Sequence, residues 1–323
     1  MKKILFIATG GTIACEETAA GLAPEVSAAQ LIAVLPQLKE LCDISAMQLF
    51  NLDSTNMSPR EWTELAVEVQ RNYSDYDGFV IAHGTDTLAY AAAALSCLIQ
   101  SSAKPIVLTG SQLPMGADGS DAPRNLFDAF LTACSELCGI AVVFNGRIID
   151  GRCAKKLHTR NFDAFRSIGR EDIGSAKDGR VTLFEKQDAD VAPIFFNRMD
   201  SAVSVVKLIP GLDPMILDFA AQRGRAVIIE GFGTGGFPDY GNKEFEQKIA
   251  ELALSGVIII MTTQVLEGGC DMSLYEVGRE AQKKYRVIEA KHMTTELAAM
   301  KAMWALAFAY SAEDFRALFE REI

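Results

Sequence analysis

The feature that most restricts how this chain can fold is a repeated pairing. A short apolar run ends in a turn of glycine and hydroxyl residues, and a segment with helical periodicity follows. KILFIAT runs into Thr9-Gly-Gly-Thr12, ISAMQLF into the turn at 51–56, GFVIAH into His83-Gly-Thr-Asp-Thr87, and PIVLTG into Thr109-Gly-Ser-Gln112. Strands that alternate with amphipathic helices need crossover connections, and hence a parallel sheet covered by helices. GIAVVF adds a fifth strand, and helices are expected near 27–40, 58–74, 87–101 and 121–136. The helix from Ser58 is consistent at every level. Ser58 caps it, Pro59 suits its first turn, Glu61 completes a capping box, and Trp62, Leu65, Ala66, Val69 and Tyr73 form one apolar face.

Residues 147–200 lose this sustained period and read as a hairpin followed by an interdomain connection. A second series then runs through SVVKL, a helix near 213–222, AVIIEG, a helix near 242–255, VIIIMT, and helices near 293–309 and 311–321. With 323 residues, the chain is too long for one core of typical size. The expectation is an α/β protein of two α/β domains. The larger, residues 1–190, carries an open, mostly parallel sheet with flanking helices. The smaller, residues 203–323, follows a linker at about 187–202. No internal repeat of solenoid period is present.

Composition removes several function classes. A net charge of −11 lacks the clustered Lys and Arg that bind a phosphate backbone or an anionic membrane, so neither nucleic acid nor membrane is expected as a partner. The longest apolar stretches fall well short of the roughly 20 residues of a membrane helix. MKKILFIATGGTIA reaches its glycines after an apolar run too short for a secretory leader, so a cytoplasmic protein is expected. Cys15, Cys42, Cys97, Cys134, Cys138, Cys153 and Cys270 are odd in number, scattered and without a CxxC pair. Neither a disulfide framework nor structural zinc is expected, and most of these residues read as small buried apolar side chains.

In an open parallel sheet, ligands bind beyond the carboxyl ends of the strands. The four turns bring Gly, Ser, Thr and Asp together at that edge. The chain has no GxGxxG or phosphate-binding loop there, and His83, the only histidine in these turns, reads as a satisfied buried residue rather than a base. A hydroxyl nucleophile without histidine needs another base, for which a lysine is the usual substitute; Lys155 and Lys156 follow the fifth strand. Neither a metal nor another cofactor is expected. Taken alone, Thr12 also suits a structural turn, and Asp86 suits a helix cap.

Thr9-Gly-Gly-Thr-Ile13 and His83-Gly-Thr-Asp-Thr87 together resemble the two signature motifs of the bacterial-type L-asparaginases. The resemblance extends through DSTNM, TGSQLP, KLHTRNFDAF and the second domain, and is nearest to the cytoplasmic, type I branch. It implies hydrolysis of L-asparagine to L-aspartate and ammonia without a cofactor, with Thr12 as nucleophile and Thr85 linked through Asp86 to a lysine. Counting back six residues from the phenylalanine of FDAF selects Lys156 rather than Lys155. Gly11, Asp53, Ser54, Thr55, Gly84, Thr85, Asp86 and Ser111 are the implied substrate-binding residues. Ser54 would take the α-carboxylate and Asp86 the α-ammonium, and Ser111 would sit beside the scissile amide. The resemblance further implies a homodimer or homotetramer, with Asp271 and Glu276 as candidates to complete the site of a neighbouring copy.

Two positions depart from the family pattern. Leu22 stands where many relatives carry a lid tyrosine, and Glu230 stands where allosteric type I relatives carry an arginine, which implies no activation by substrate. The competing readings are a broader glutaminase-asparaginase, the amidase component of a tRNA amidotransferase, and a non-catalytic amino-acid sensor. The amidase component usually carries an extra N-terminal domain, whereas the first motif here begins at residue 9. A sensor would be expected to lack Thr12, Thr85, Asp86 or Lys156, and all four are present.

Overall fold

The computed structural model describes the chain apart from residues 19–20, 186–190, 239–240, 242 and 275, and apart from the side chains of 16–18, 21–24, 276, 277, 280 and 281. It divides into two compact units, Met1–Asn197 with Ile323, and Arg198–Glu322.

In the first unit β1 (Lys3–Gly10) leads through the hairpin β2 (Cys15–Thr18) and β3 (Gly21–Pro24) and the short helices α1 (Ala28–Ala33) and α2 (Leu38–Leu41) into β4 (Asp43–Leu52). Then follow α3 (Pro59–Asn72), β5 (Gly78–Ala82), α4 (Leu88–Leu98), β6 (Ile99–Gln100), β7 (Pro105–Thr109), α5 (Ala122–Ala133) and β8 (Gly139–Phe144). After these come β9 (Arg147–Asp150), β10 (Ala154–Lys156), β11 (Phe165–Ser167), β12 (Gly174–Lys177), β13 (Arg180–Leu183) and β14 (Ile194–Phe195). The main sheet has the order β13-β12-β9-β8-β7-β5-β1-β4. Its strands from β4 to β8 are parallel, and β9, β12 and β13 extend it antiparallel.

The central strands β1, β5 and β7 are buried along nearly their whole length, because helices cover both faces of a parallel sheet. The edge strand β4 is only partly buried. One face carries Phe6, Ala8, Val80, Val107 and Val143 against Leu126, Ala129 and Phe130 of α5. The Phe6 and Phe130 rings meet with centroids 5.7 Å apart. Burying side chains of this size stabilises the fold by about 1.5–3 kcal/mol each.

Several elements differ from expectation. The helix expected near 27–40 is two helices, because Pro36 has no N–H to continue the ladder. The helix expected to reach 101 stops at Leu98, and Ile99–Gln100 pair instead with β14. The stretch expected to hold one hairpin and a connection holds β9 to β14. Its first turn, Asn145-Gly146, has positive φ at both residues, as a tight two-residue hairpin requires. The α3 capping box forms as expected, with Glu61 accepting from the Ser58 N–H at 2.9 Å. All seven cysteines are free thiols, but only Cys42, Cys97 and Cys270 are buried. The other four are partly exposed, which corrects the expectation that most are core residues.

The second unit is a four-stranded parallel sheet, β15 (Val203–Lys207), β16 (Ala226–Gly231), β17 (Ile258–Thr263) and β18 (Ile288–Glu289), in that order. Its helices are α6 (Ile216–Ala221), α7 (Glu244–Leu254), α8 (Glu276–Tyr285), α9 (Thr295–Phe308) and α10 (Ala312–Glu320). Val227, Ile229 and Met261 pack with Leu217, Phe245 and Ile249. The polar helix α8 is additional to the expected elements, and its Gly278 is demanded by packing: a Cβ there would lie 2.3 Å from the Met272 carbonyl oxygen. Among the described residues no helix is long and apolar enough to cross a membrane.

Glycines lock the turns at the carboxyl edge of the first sheet to one another. A Cβ on Gly11 (φ +77°) would lie 2.3 Å from Gly84 Cα, one on Gly84 would lie 2.6 Å from Ser54 Cβ and Oγ, and one on Gly110 would lie 2.3 Å from His83 O. Gly11→Ala combines a left-handed backbone with this overlap, and is expected to destabilise the first unit by at least about 2 kcal/mol in urea titration. Gly116→Ala, which meets nothing within 4 Å, is the control.

Asp128 on α5 gives a second expectation. It is buried, its Oδ2 has no hydrogen-bond partner among the described residues, and burial pushes its pKa up to about 6. A carboxyl raised above its unfolded value stabilises the fold fully at pH below about 4, and that contribution is lost as pH rises through about 6. The unfolding midpoint should therefore carry a falling component between pH 4 and 7 that Asp128→Asn removes. An unchanged profile in the variant would contradict it.

Candidate active site

Two turns carry the threonines. Gly11 follows β1 and opens a single 3-10 turn, Thr12–Ala14, with the Ala14 N–H donating to Gly11 O at 3.0 Å. His83, Gly84, Thr85 and Asp86 follow β5 and lead into α4. Because Gly11 lies directly against Gly84, Thr12 and Thr85 each follow one of two glycines in backbone contact. The Gly11 N–H donates to Leu52 O at 2.9 Å, so the chemistry available from Gly11 is close approach and not a free donor.

Thr85 is buried, and its Oγ1 accepts from Lys156 Nζ at 2.8 Å and donates to Gln112 Oε1 at 3.3 Å. Lys156 Nζ also lies 2.7 Å from Asp86 Oδ1. The lysine side chain is 18% exposed and the carboxylate 59%, so the pair has one sheltered and one open member. The N-cap of α4 is Thr87, whose hydroxyl donates to Ser54 O at 2.8 Å. Asp86 does not cap the helix; its carboxylate is turned to the lysine.

The hairpin of β10 and β11 delivers Lys156 to this place. Strand alternation separates the two lysines, with Lys156 opposite Phe165 and Lys155 opposite Arg166. The hairpin is held by ion pairs. Asp163 binds Arg166 through both oxygens and Arg147 Nε at 3.2 Å, while Arg147 Nη1 reaches Asp172 at 2.5 Å. Arg166 first, and then Arg147, hold the Asp163 carboxyl down at about 2. Gln112 Nε2 donates to His158 O (3.3 Å) and Asn161 O (3.1 Å), so Gln112 ties Thr85 to the loop beyond the lysine.

The loop after β7 is ordered by Asp121, whose carboxylate accepts from the N–H groups of Gln112 and Leu113 and from Asn125 Nδ2. Sequence reasoning gives no role to Gln112 or Asp121. Their only signal is their place within or shortly after the Thr109-Gly-Ser-Gln112 turn. Ser111 is fully buried, and its hydroxyl donates to Leu113 O. Asp53 accepts from both the N–H and the hydroxyl of Thr55 at 2.9 Å, and Ser54, between them, is buried against Gly84.

His83 is fully buried, and desolvation pushes it down to about 4, so it is a neutral imidazole at ordinary pH. Its Nδ1–H donates to Gly84 O at 2.8 Å, whereas Nε2 has no partner among the described residues; only half of the expected satisfaction is met.

In the second unit, the Glu230 carboxylate accepts from the Thr295 hydroxyl. Asp271 accepts from Ser273 N–H and Oγ, the hydroxyl contact being the main cause that lowers its pKa. Glu276 opens α8 and Leu22 lies in β3, but the side chains of both fall outside the described residues.

Comparison with known proteins places this geometry. Residues 3–189 match the profile of the asparaginase N-terminal domain, and residues 202–319 that of the glutaminase/asparaginase C-terminal domain. The chain is 38% identical over 323 residues to an L-asparaginase of Thermococcus kodakarensis, covering 99% of this chain and 98% of that one. A solved structure of the thermostable L-asparaginase from that organism superposes with a TM-score of 0.92 at 38% identity, covering 99% of this chain and 97% of the other. A glutamyl-tRNA(Gln) amidotransferase component of Pyrococcus abyssi is 34% identical over 335 residues, covering 98% of this chain and 74% of its own length. The probable cytoplasmic L-asparaginase of Campylobacter jejuni superposes with a TM-score of 0.86 at 27% identity, covering both chains completely. With both of its units matched in order, and relatives aligned along nearly all of its length, the chain belongs to the asparaginase family.

Proposed function

We infer that this protein is an L-asparaginase, hydrolysing the side-chain amide of L-asparagine to L-aspartate and ammonia. The observation that carries the reading is the arrangement of Lys156 between Thr85 and Asp86, beside the glycine contact that joins the Thr85 turn to the Thr12 turn. It is supported by 38% identity to an L-asparaginase over the full chain.

In this reading Thr12 Oγ1 attacks the carbonyl carbon of the substrate amide. Backbone N–H groups of the glycine turns stabilise the oxyanion, at about 3 kcal/mol per donor. Lys156 accepts a proton through Thr85, and for this the Thr85 hydroxyl turns from Gln112 Oε1 toward Nζ. Asp86 holds the charge that develops on the lysine. The C–N bond breaks as the nitrogen takes the proton back from Lys156 through Thr85 and leaves as ammonia, and water then hydrolyses the aspartyl ester on Thr12, restoring its hydroxyl. Ser54 and its neighbouring N–H groups receive the α-carboxylate, the open side of Asp86 receives the α-ammonium, and the Ser111 backbone lies at the amide.

A cytoplasmic location follows from the probable cytoplasmic relative. A homodimer or homotetramer, with Asp271 and Glu276 completing a neighbouring site, belongs to the same reading, as does the domain division at about 187–202. Relatives include amidotransferase components as well as L-asparaginases, so substrate selectivity is the decisive property. An extra methylene changes binding by only about 1–3 kcal/mol, which leaves room for some glutamine turnover.

Thr12→Ala and Thr85→Ala are each expected to lower kcat by about a thousandfold or more while leaving the circular dichroism spectrum unchanged. Near-normal turnover in either variant removes that threonine from the mechanism. Ammonia release should be rapid with L-asparagine and much slower with L-glutamine, hyperbolic in substrate because Glu230 replaces the allosteric arginine, and unaffected by EDTA. Silence with both amides would overturn the assignment, and a sigmoidal curve would overturn the role given to Glu230.

A further inference from the structure

A threonine hydroxyl has a single proton to give, and the surroundings of Thr85 fix where it points. Its Oγ1 accepts from the Lys156 ammonium at 2.8 Å, while the same Nζ donates to Asp86 Oδ1 at 2.7 Å. The hydroxyl hydrogen must then go to a different acceptor, and Gln112 Oε1 at 3.3 Å takes it. An amide has one accepting end and one donating end. Gln112 Nε2 lies 3.1 Å from Asn161 O and 3.3 Å from His158 O, and a carbonyl oxygen only accepts. The NH2 end therefore faces that loop and the oxygen faces Thr85.

Gln112 is anchored at its main chain as well. Its N–H donates to both carboxylate oxygens of the buried Asp121 at 3.0 Å, and Asp121 Oδ2 also accepts from Asn125 Nδ2 at 3.1 Å, which donates in turn to Gly110 O at 2.9 Å. The two carbonyls that hold the amide belong to the loop between β10 and β11, which the Leu157 N–H closes by donating to Ala164 O at 2.7 Å. Among the described residues, the charge facing Nζ is that of Asp86. Lys155 stands at the neighbouring register position opposite Arg166, Asp163 is taken up by Arg166 and Arg147, and α4, packed against β10, carries no charged residue. The direction of the Thr85 proton is thus set by a neutral amide that both of its neighbouring loops hold in one orientation.

We propose that Gln112 is a positioning residue of the hydrolysis, whose amide oxygen sets the direction in which the Thr85 hydroxyl relays a proton; the proposal rests on the asparaginase reading above. With the lysine charged, the hydroxyl donates to Gln112 and keeps a lone pair directed at Nζ. That is the arrangement in which Thr85 accepts a proton from Nζ and passes its own to the leaving nitrogen. With the lysine neutral, the hydroxyl turns to Nζ and delivers its proton there while it takes the proton of Thr12. The bond that gives way is then the 3.3 Å contact with Gln112, longer than the 2.8 Å contact with the lysine. Gln112 exchanges no proton itself. It acts through Thr85, by holding the hydroxyl as an acceptor in one half of the cycle and releasing it in the other.

The test follows ammonia release from L-asparagine by the full-length wild type, Gln112→Met and Gln112→Glu, with circular dichroism as the check on folding. Methionine keeps the length of the side chain and removes both ends of the amide. Its kcat is expected to fall about tenfold or more with KM within about twofold, and the solvent deuterium isotope effect on kcat to rise, because proton relay becomes limiting. A protonated glutamic acid reproduces the accepting oxygen and one donor of the amide, whereas its carboxylate faces two carbonyl oxygens without a donor. The rate of Gln112→Glu relative to wild type at the same pH should therefore approach the wild-type value in the acid range and fall as pH rises, a readout that stands even where Gln112→Met does not fold. A folded Gln112→Met with the kcat and isotope effect of the wild type, or a Gln112→Glu ratio that does not change with pH, overturns the role given to Gln112. Silence of the wild type toward L-asparagine overturns instead the reading on which that role rests.

Discussion

The contact between Gly11 and Gly84 is the constraint on which the rest of the site depends. No side chain fits between them, so the turns after β1 and β5 approach as bare backbone. The same device recurs where Gly84 meets Ser54 and where Gly110 meets His83, linking the four turns along one sheet edge. Glycine carries an entropic cost on folding, and the three of these turns that contain it are held by the buried strands beneath them. Phe6, Val80 and Val107 supply that foundation, because helices cover both faces of the sheet and leave its central strands dry.

Onto this edge the β10–β11 hairpin brings a lysine from another part of the chain. Lys156 is sheltered where it meets Thr85, and its partner Asp86 is open to solvent. The lysine's position depends on groups that touch no ligand in the proposed reaction. Asp163, between two arginines, braces the hairpin, and Gln112 spans Thr85 and the carbonyls beyond it. Local rigidity of this kind is what the proposed reaction requires, since a hydroxyl and an amine must stay within hydrogen-bond reach.

The expectations that failed share a cause. Pro36 breaks a helix that apolar period alone extends, and α8 escapes a reading by period because its sequence is polar and contains Gly278, whose place is set by contact with Met272. Strands β9 to β13 read as little more than one hairpin because short antiparallel strands leave a weak period, and their pairing partners lie elsewhere in the chain. Asp86 suits a helix cap on local grounds, yet its carboxylate faces Lys156, far along the chain.

What the sequence by itself determined is what short-range chemistry decides. The parallel α/β series, the α3 capping box, the glycine and hydroxyl turns and the two family motifs all follow from spacing and propensity within short stretches of chain. The tertiary structure alone decided that Gly11 meets Gly84, that Lys156 Nζ lies within hydrogen-bond reach of both Thr85 and Asp86, and that Gln112 joins Thr85 to the loop beyond the lysine. Each of these joins residues far apart in the chain, and their distance is set by how strands and helices pack, which no local pattern encodes.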